Sequence, residues 1–190
     1  MKFQSKEFLS RSRKSQAGLT VMETMVALAM LLTVATGVMA IAAIAVSTTE
    51  TQGHLAARTA EYAQDKMEQL LSLKFCDGVT DTTVFPAITN PAGTGLANCT
   101  NLNAPTPTAS AGGGANPTAP LAGYADYLDA SGNLVGAGAN WEYVRVWQIS
   151  VPAGSVGLKQ ITVVTRARRS AGANAVVPQS TVVALKTFPF

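Results

Sequence analysis

Between positions 25 and 46 the chain carries 22 consecutive residues without a charge, and nothing else in its 190 residues restricts the fold as strongly. As an α-helix that run spans about 33 Å, enough to cross a bilayer. It is built from Ala, Leu, Met, Val and Ile, interrupted only by Thr33, Thr36 and Gly37. A threonine hydroxyl can bond to a carbonyl one turn back, so these positions loosen a helix without breaking it. Ahead of the run, residues 1–18 hold Lys2, Lys6, Arg11, Arg13 and Lys14 against the single acid Glu7. Positive charge stays on the cytoplasmic side of a span, which puts the N-terminus inside and the residues after about 47 outside. Without residues 1–18 the chain has nine basic and ten acidic side chains. The basic excess thus belongs to the first segment. The sustained basic face of a nucleic-acid binder is missing, and nucleic acid is not an expected partner.

An ordinary secretory signal peptide shares the basic start, and Ala40-Ile41-Ala42 imitates a small-residue cleavage site. Its apolar region runs only about 7–15 residues, however, and this one is longer. A carboxylate also stands at the mouth of the run: Glu23, in Leu19-Thr20-Val21-Met22-Glu23-Thr24-Met25-Val26. An acid there either snorkels to water or has a partner and a function.

The stretch Gln16-Ala17-Gly18-Leu19-Thr20-Val21-Met22-Glu23, followed by an apolar helix, resembles the class III signal of type IV pilins and type II secretion pseudopilins. The resemblance implies that residues 1–18 are a leader, cut by a prepilin peptidase between Gly18 and Leu19. The same enzyme, as a methyltransferase, would leave N-methyl-Leu19 as the mature terminus in the inner membrane. Glu23 becomes the fifth mature residue, its carboxylate near the terminal amine of a neighbouring pilin or pseudopilin subunit. Pairing two charges in apolar surroundings removes a penalty neither escapes alone, and it fixes the axial register between subunits. The family usually has Phe where Leu19 stands, and major pilins commonly carry a helix Pro that is absent here.

Beyond the span, Ala56, Ala60, Ala63, Met67 and Leu70 recur at helical spacing, widened by Leu71 and Leu73, with Glu61, Gln64, Asp65, Glu68 and Gln69 opposite. This predicts an amphipathic continuation, so that residues 19–73 would run about 80 Å as one rod. Asp65, Lys66 and Glu68 read as a solvated face. His54 has no ligand partners around it, and no metal or cofactor is expected.

Residues 74–140 form a variable region. Its stretch 86–123 contains six Pro, six Gly and no charge, and reads as loop with little fixed structure. Cys76 and Cys99 bracket its start; two cysteines in an exported domain most simply form a disulfide. Asp126, Asp129, Ser131 and Asn133 supply closely spaced oxygens but lack the closing Glu of a calcium loop, and a hairpin turn near 127–135 accounts for them.

Residues 141–190 read as an antiparallel meander. Trp141, Tyr143, Trp147, Ile149 and Val151 alternate onto one face, a second strand covers 158–167, and a third covers 181–188. Arg166, Arg168 and Arg169 read as charges that protect a sheet edge. The expected fold class is α+β: a long N-terminal helix packed on a C-terminal antiparallel sheet, the type IV pilin-like order. The tail, Trp147-Gln148-Ile149 with Leu158-Lys159-Gln160-Ile161-Thr162-Val163, is similar to minor pilins of the PilV kind and to I-type minor pseudopilins. No nucleophile–base set or phosphate-cradling loop marks an enzyme, and no catalytic residue is assigned. The expected role is a minor subunit of a type IV pilus, with the sheet domain periplasmic before assembly. The alternatives are a minor pseudopilin of a type II secretion system and a membrane-anchored periplasmic binding module that never polymerises.

Overall fold

The structure, a computed structural model, describes residues 20–170 and 176–188. The expected leader and the cleavage pair Gly18 and Leu19 lie outside the described residues. One helix, α1 (Val21–Ser72), is followed by β1 (Thr80–Asp81), β2 (Ile88–Thr89), β3 (Cys99–Thr100), β4 (Thr108–Ala109), β5 (Gly112–Gly113), β6 (Ala125–Leu128), β7 (Leu134–Val135), β8 (Tyr143–Ser150), β9 (Leu158–Ala167) and β10 (Gln179–Thr187). The chain divides into two compact units, Met1–Ala45 and Val46–Phe190.

In the first unit every described residue is exposed, and the apolar side chains point in all directions around α1. A helix that is apolar all round needs an apolar surrounding; this one is long and apolar enough to cross a bilayer. The hydroxyls of Thr24, Thr33 and Thr36 donate to the carbonyls of Val21, Met30 and Thr33 at 2.8–2.9 Å, so they leave no polar group unsatisfied on the apolar surface.

In the second unit α1 buries Thr59, Tyr62, Ala63, Lys66, Met67 and Leu70. This stripe is turned from the predicted one: Ala56 is exposed, whereas Thr59, Tyr62 and Lys66 face inward. Lys66 belongs to the buried face and not to a solvated one, because its ammonium finds a buried carboxylate. Glu61, Gln64, Asp65 and Glu68 are exposed as expected.

The main sheet has the order β10-β9-β8-β6-β7, with β5 also paired to β8. Its β8-β9-β10 part is an antiparallel meander in continuous register, with Trp147 opposite Val163 and Val163 opposite Val182. Period-2 alternation therefore puts Trp147, Ile149, Ile161 and Val163 on one face, where they pack with Ala63, Met67 and Leu70 of α1. The hairpin expected at 127–135 forms from β6 and β7, with Tyr127 opposite Val135.

Four expectations need correction. Both faces of β8 are covered, because Val144 and Val146 pack with Val164, Tyr127, Ala115 and Trp141 on the outer side. Trp141 precedes the strand and stacks near Tyr127, so it does not share the inner face with Tyr143 and Trp147. The Pro/Gly-rich stretch is built into the fold: Leu96 and Ala97 are buried in the main core, and β3 pairs with β4. Finally β9, which carries Arg166, is an interior strand, so that arginine guards no edge. Arg168 lies over the Trp141 ring and bonds the Trp141 carbonyl, while Arg169 pairs with Glu142.

Leu70 is fully buried where helix meets sheet, whereas Val183 on the outer face of β10 is 54% exposed. Leu70→Ala should lower unfolding stability by about 2–5 kcal/mol and Val183→Ala by no more than about 0.5 kcal/mol, measured by urea denaturation of the detergent-solubilised chain.

Candidate functional site

Glu23 stands in the first turn of α1. Thr20 caps that turn: its carbonyl and hydroxyl oxygens accept from the Glu23 amide at 2.9 and 3.3 Å. Thr20-Val21-Met22-Glu23 has the Thr-x-x-Glu spacing of a capping box, a local reason for an acid at this position beyond any partner. The Glu23 side chain is exposed on the apolar unit. The other expected pair belongs to the second unit, where Cys76 and Cys99 form a disulfide with Cα atoms 5.2 Å apart. His54 is exposed, and among the described residues no three His, Cys, Asp or Glu side chains cluster to hold a metal.

The second unit also contains a buried charge cluster. Asp126, on β6, receives Lys66 Nζ of α1 at 2.9 Å and Arg145 Nε and Nη2 of β8 at 2.7 and 2.9 Å. The three side chains are no more than 4% exposed. Lys66 donates further to Gln69 Oε1 at 2.8 Å and to the Thr82 carbonyl, with its ammonium 4.1 Å from the centre of the Trp147 ring. Arg145 Nη1 reaches Asp65 at 2.7 Å and the Tyr62 carbonyl at 3.3 Å. Asp65 is 69% exposed, so it closes the cluster from the solvent side. A cavity of about 460 Å³, lined by Phe85, Leu134 and Arg145 among others, opens beside it.

Burial holds the Lys66 ammonium below the usual lysine value, and the Asp126 charge only partly opposes this. For Arg145, burial acts against the charged form but is outweighed by Asp126 and then Asp65, which raise it. A sequence signal existed: Arg145 sits at an inward position of an otherwise apolar strand face, and Lys66 interrupts an apolar helix row. Each demanded a partner that pattern alone does not name.

A second cationic centre involves no ion pair. Lys159 Nζ, on the fully buried inner side of β9, donates to the carbonyls of Phe75, Leu96 and Ala97 at 2.7, 2.9 and 3.0 Å, with the Phe75 ring centre 4.9 Å away. Directly across the strand pair, Lys186 Nζ donates to the carbonyls of Leu71 and Leu73. The last turn of α1 has no basic residue of its own, so Lys186 supplies the cation that the helix C-terminus favours. Ala97 holds φ of 59°, a left-handed backbone that costs a non-glycine residue about 1–2 kcal/mol. The Asp129 carboxylate accepts from the amides of Ser131 and Asn133, which makes it a turn former, while Asp126 is engaged elsewhere.

No model of a known family, no curated protein and no solved structure matches the chain. What the site can do therefore follows from its own chemistry: a carboxylate at the start of an exposed apolar helix, and a domain whose helix is fixed by buried cations.

Asp126→Ala would leave Lys66 and Arg145 buried with only the exposed Asp65 as counter-charge. It should cost about 3–5 kcal/mol of unfolding stability, against less than about 1 kcal/mol for Asp65→Ala. Burial first, then the Lys186 charge, with Asp77 opposing, push Lys159 from 10.5 to about 8. Between those values the unfolded chain keeps the proton that the folded chain releases, so stability rises with pH across that window. Below 8 both states are protonated and the slope disappears. Urea titrations from pH 7 to 10.5 should show this rise, and Lys159→Met should reduce it, leaving the part that the lowered Lys66 and Lys186 contribute.

Proposed function

We propose that the chain is made as a prepilin and serves as a minor, pilin-like subunit of a type IV pilus. A prepilin peptidase/methyltransferase cuts after Gly18 and methylates Leu19. The apolar half of α1 then holds the subunit in the inner membrane, N-terminus in the cytoplasm and sheet domain in the periplasm, until it joins the filament. The observation that carries this reading is the lone carboxylate of Glu23 at the N-terminal end of a helix exposed and apolar on every side. An acid so placed is costly unless it meets a cation, and cleavage one turn upstream creates one, the amine of Leu19. The α+β layout of a long N-terminal helix and a C-terminal antiparallel sheet is compatible with such a subunit.

Mass spectrometry of the mature N-terminus tests the reading directly. N-methyl-Leu19 is expected; retention of residues 1–18, or a cut near Ala42 as in an ordinary signal peptide, contradicts it. Glu23→Ala should stay in the membrane fraction yet fall at least about tenfold in sheared filaments, the loss of one buried charge pairing. Undiminished incorporation would remove the pairing mechanism, and absence of the native chain from filaments would favour the non-polymerising anchored module.

A further inference from the structure

We infer that the Cys76–Cys99 bond is a redox-controlled latch that closes a backbone carbonyl cage around Lys159. All three oxygens that bind the Lys159 ammonium come from within three positions of a half-cystine: Phe75 immediately before Cys76, and Leu96 and Ala97 three and two positions before Cys99. Lys159 is fully buried, and no carboxylate of the described residues forms an ion pair with it. All the hydrogen bonds that stabilise its charge therefore come from two chain segments, and the covalent bond that links them closes a loop across 23 positions.

Two features show that these segments are held against their own preference. Ala97, a non-glycine residue, holds a left-handed backbone with φ of 59°. The stretch that links it to Cys76 includes only the two-residue strands β1 and β2, and beyond these the segments are joined by single backbone bonds, from the Leu96 amide to the Asp77 carbonyl at 2.8 Å and from the Gly95 amide to the Thr80 carbonyl at 2.9 Å. The disulfide is also within reach of a redox partner, because Cys76 lines a surface cavity of about 540 Å³ with Asp77, Gly78 and Asn98.

The chemistry is thiol–disulfide exchange. The two cysteine thiols lose two protons and two electrons as their S–S bond forms, and a disulfide oxidant takes both up as its own S–S bond becomes two thiols; a dithiol or phosphine reductant reverses the change. In the oxidised chain the carbonyls converge on the ammonium. In the reduced chain the two segments separate and Lys159 turns toward water, while the inner strands β8 and β9, secured by Trp147, Ile161 and the Asp126 cluster, stay paired. The face built from residues 75–99 thus takes its final form only after oxidation.

The test is pulse acetylation of the full detergent-solubilised chain, oxidised or reduced with a phosphine, with each lysine read by peptide mass spectrometry and thiol alkylation confirming reduction. Hydrogen exchange of the β8 and β9 amides is followed in the same samples. Reduction should raise Lys159 acetylation at least about tenfold, well within the constraint a loop of this length supplies, with β8 and β9 still protected. A chain with both Cys76→Ser and Cys99→Ser should behave like the reduced protein without any reductant. Unchanged protection of Lys159 in the reduced chain overturns the latch. So does simultaneous loss of β8 and β9 protection, which would make the disulfide a support for the whole domain.

Discussion

One carboxylate sets the arrangement of the folded domain. Asp126 lies between a lysine from the helix and an arginine from the central strand, and the three are buried together. None of them is tolerable there alone, since an unpaired buried charge costs several kcal/mol. Turning α1 by one residue would move Lys66 off its partner, and slipping β8 by one would send Arg145 to the outer face and bring Val144 and Val146 to the inner one. Apolar packing of Met67, Leu70, Trp147 and Ile161 supplies the attraction between helix and sheet. The charges specify which helix face and which register that attraction accepts.

The end of the helix is secured on a different principle. Lys159 and Lys186 face each other across β9 and β10, a pairing of like charges that is unfavourable on an open sheet. Here each ammonium is occupied by backbone carbonyls, from the Phe75 and Leu96–Ala97 segments in one case and from Leu71 and Leu73 in the other. Two cations thereby satisfy the oxygens that a helix end and an irregular segment would otherwise leave without donors.

Much of this was legible in the sequence, and the parts that were not share a cause. The apolar run, the strands at 158–167 and near 181–188, and the hairpin at 127–135 follow from local pattern: absence of charge, alternation, and turn residues. The disulfide follows from there being two cysteines. Periodicity counts any lysine as polar and so puts Lys66 on the solvated face; only the distant Asp126 reverses that. Alternation puts Trp141 on the inner face only if it extends past Tyr143, the first residue of β8, where the strand has not yet begun. The Pro/Gly-rich stretch announces irregular backbone, but composition says nothing of Leu96 and Ala97 packing in the core or of Lys159 bonding their carbonyls. For the proposed site, Glu23 stood out as an acid among apolar residues; its cap at Thr20 was written in the Thr-x-x-Glu spacing.

The two units thus meet their physical needs differently. The apolar half of α1 has no cover of its own, and the proposed membrane and filament would provide it; the other half is secured within its domain by matched charges. The most direct measurement of that matching is a double-mutant cycle between helix and sheet, with Lys66→Met, Asp126→Asn and both together, each unfolded in urea. A coupling above about 1 kcal/mol is expected, the double variant losing much less than the two single losses combined. Losses that add to within about 0.5 kcal/mol would contradict it.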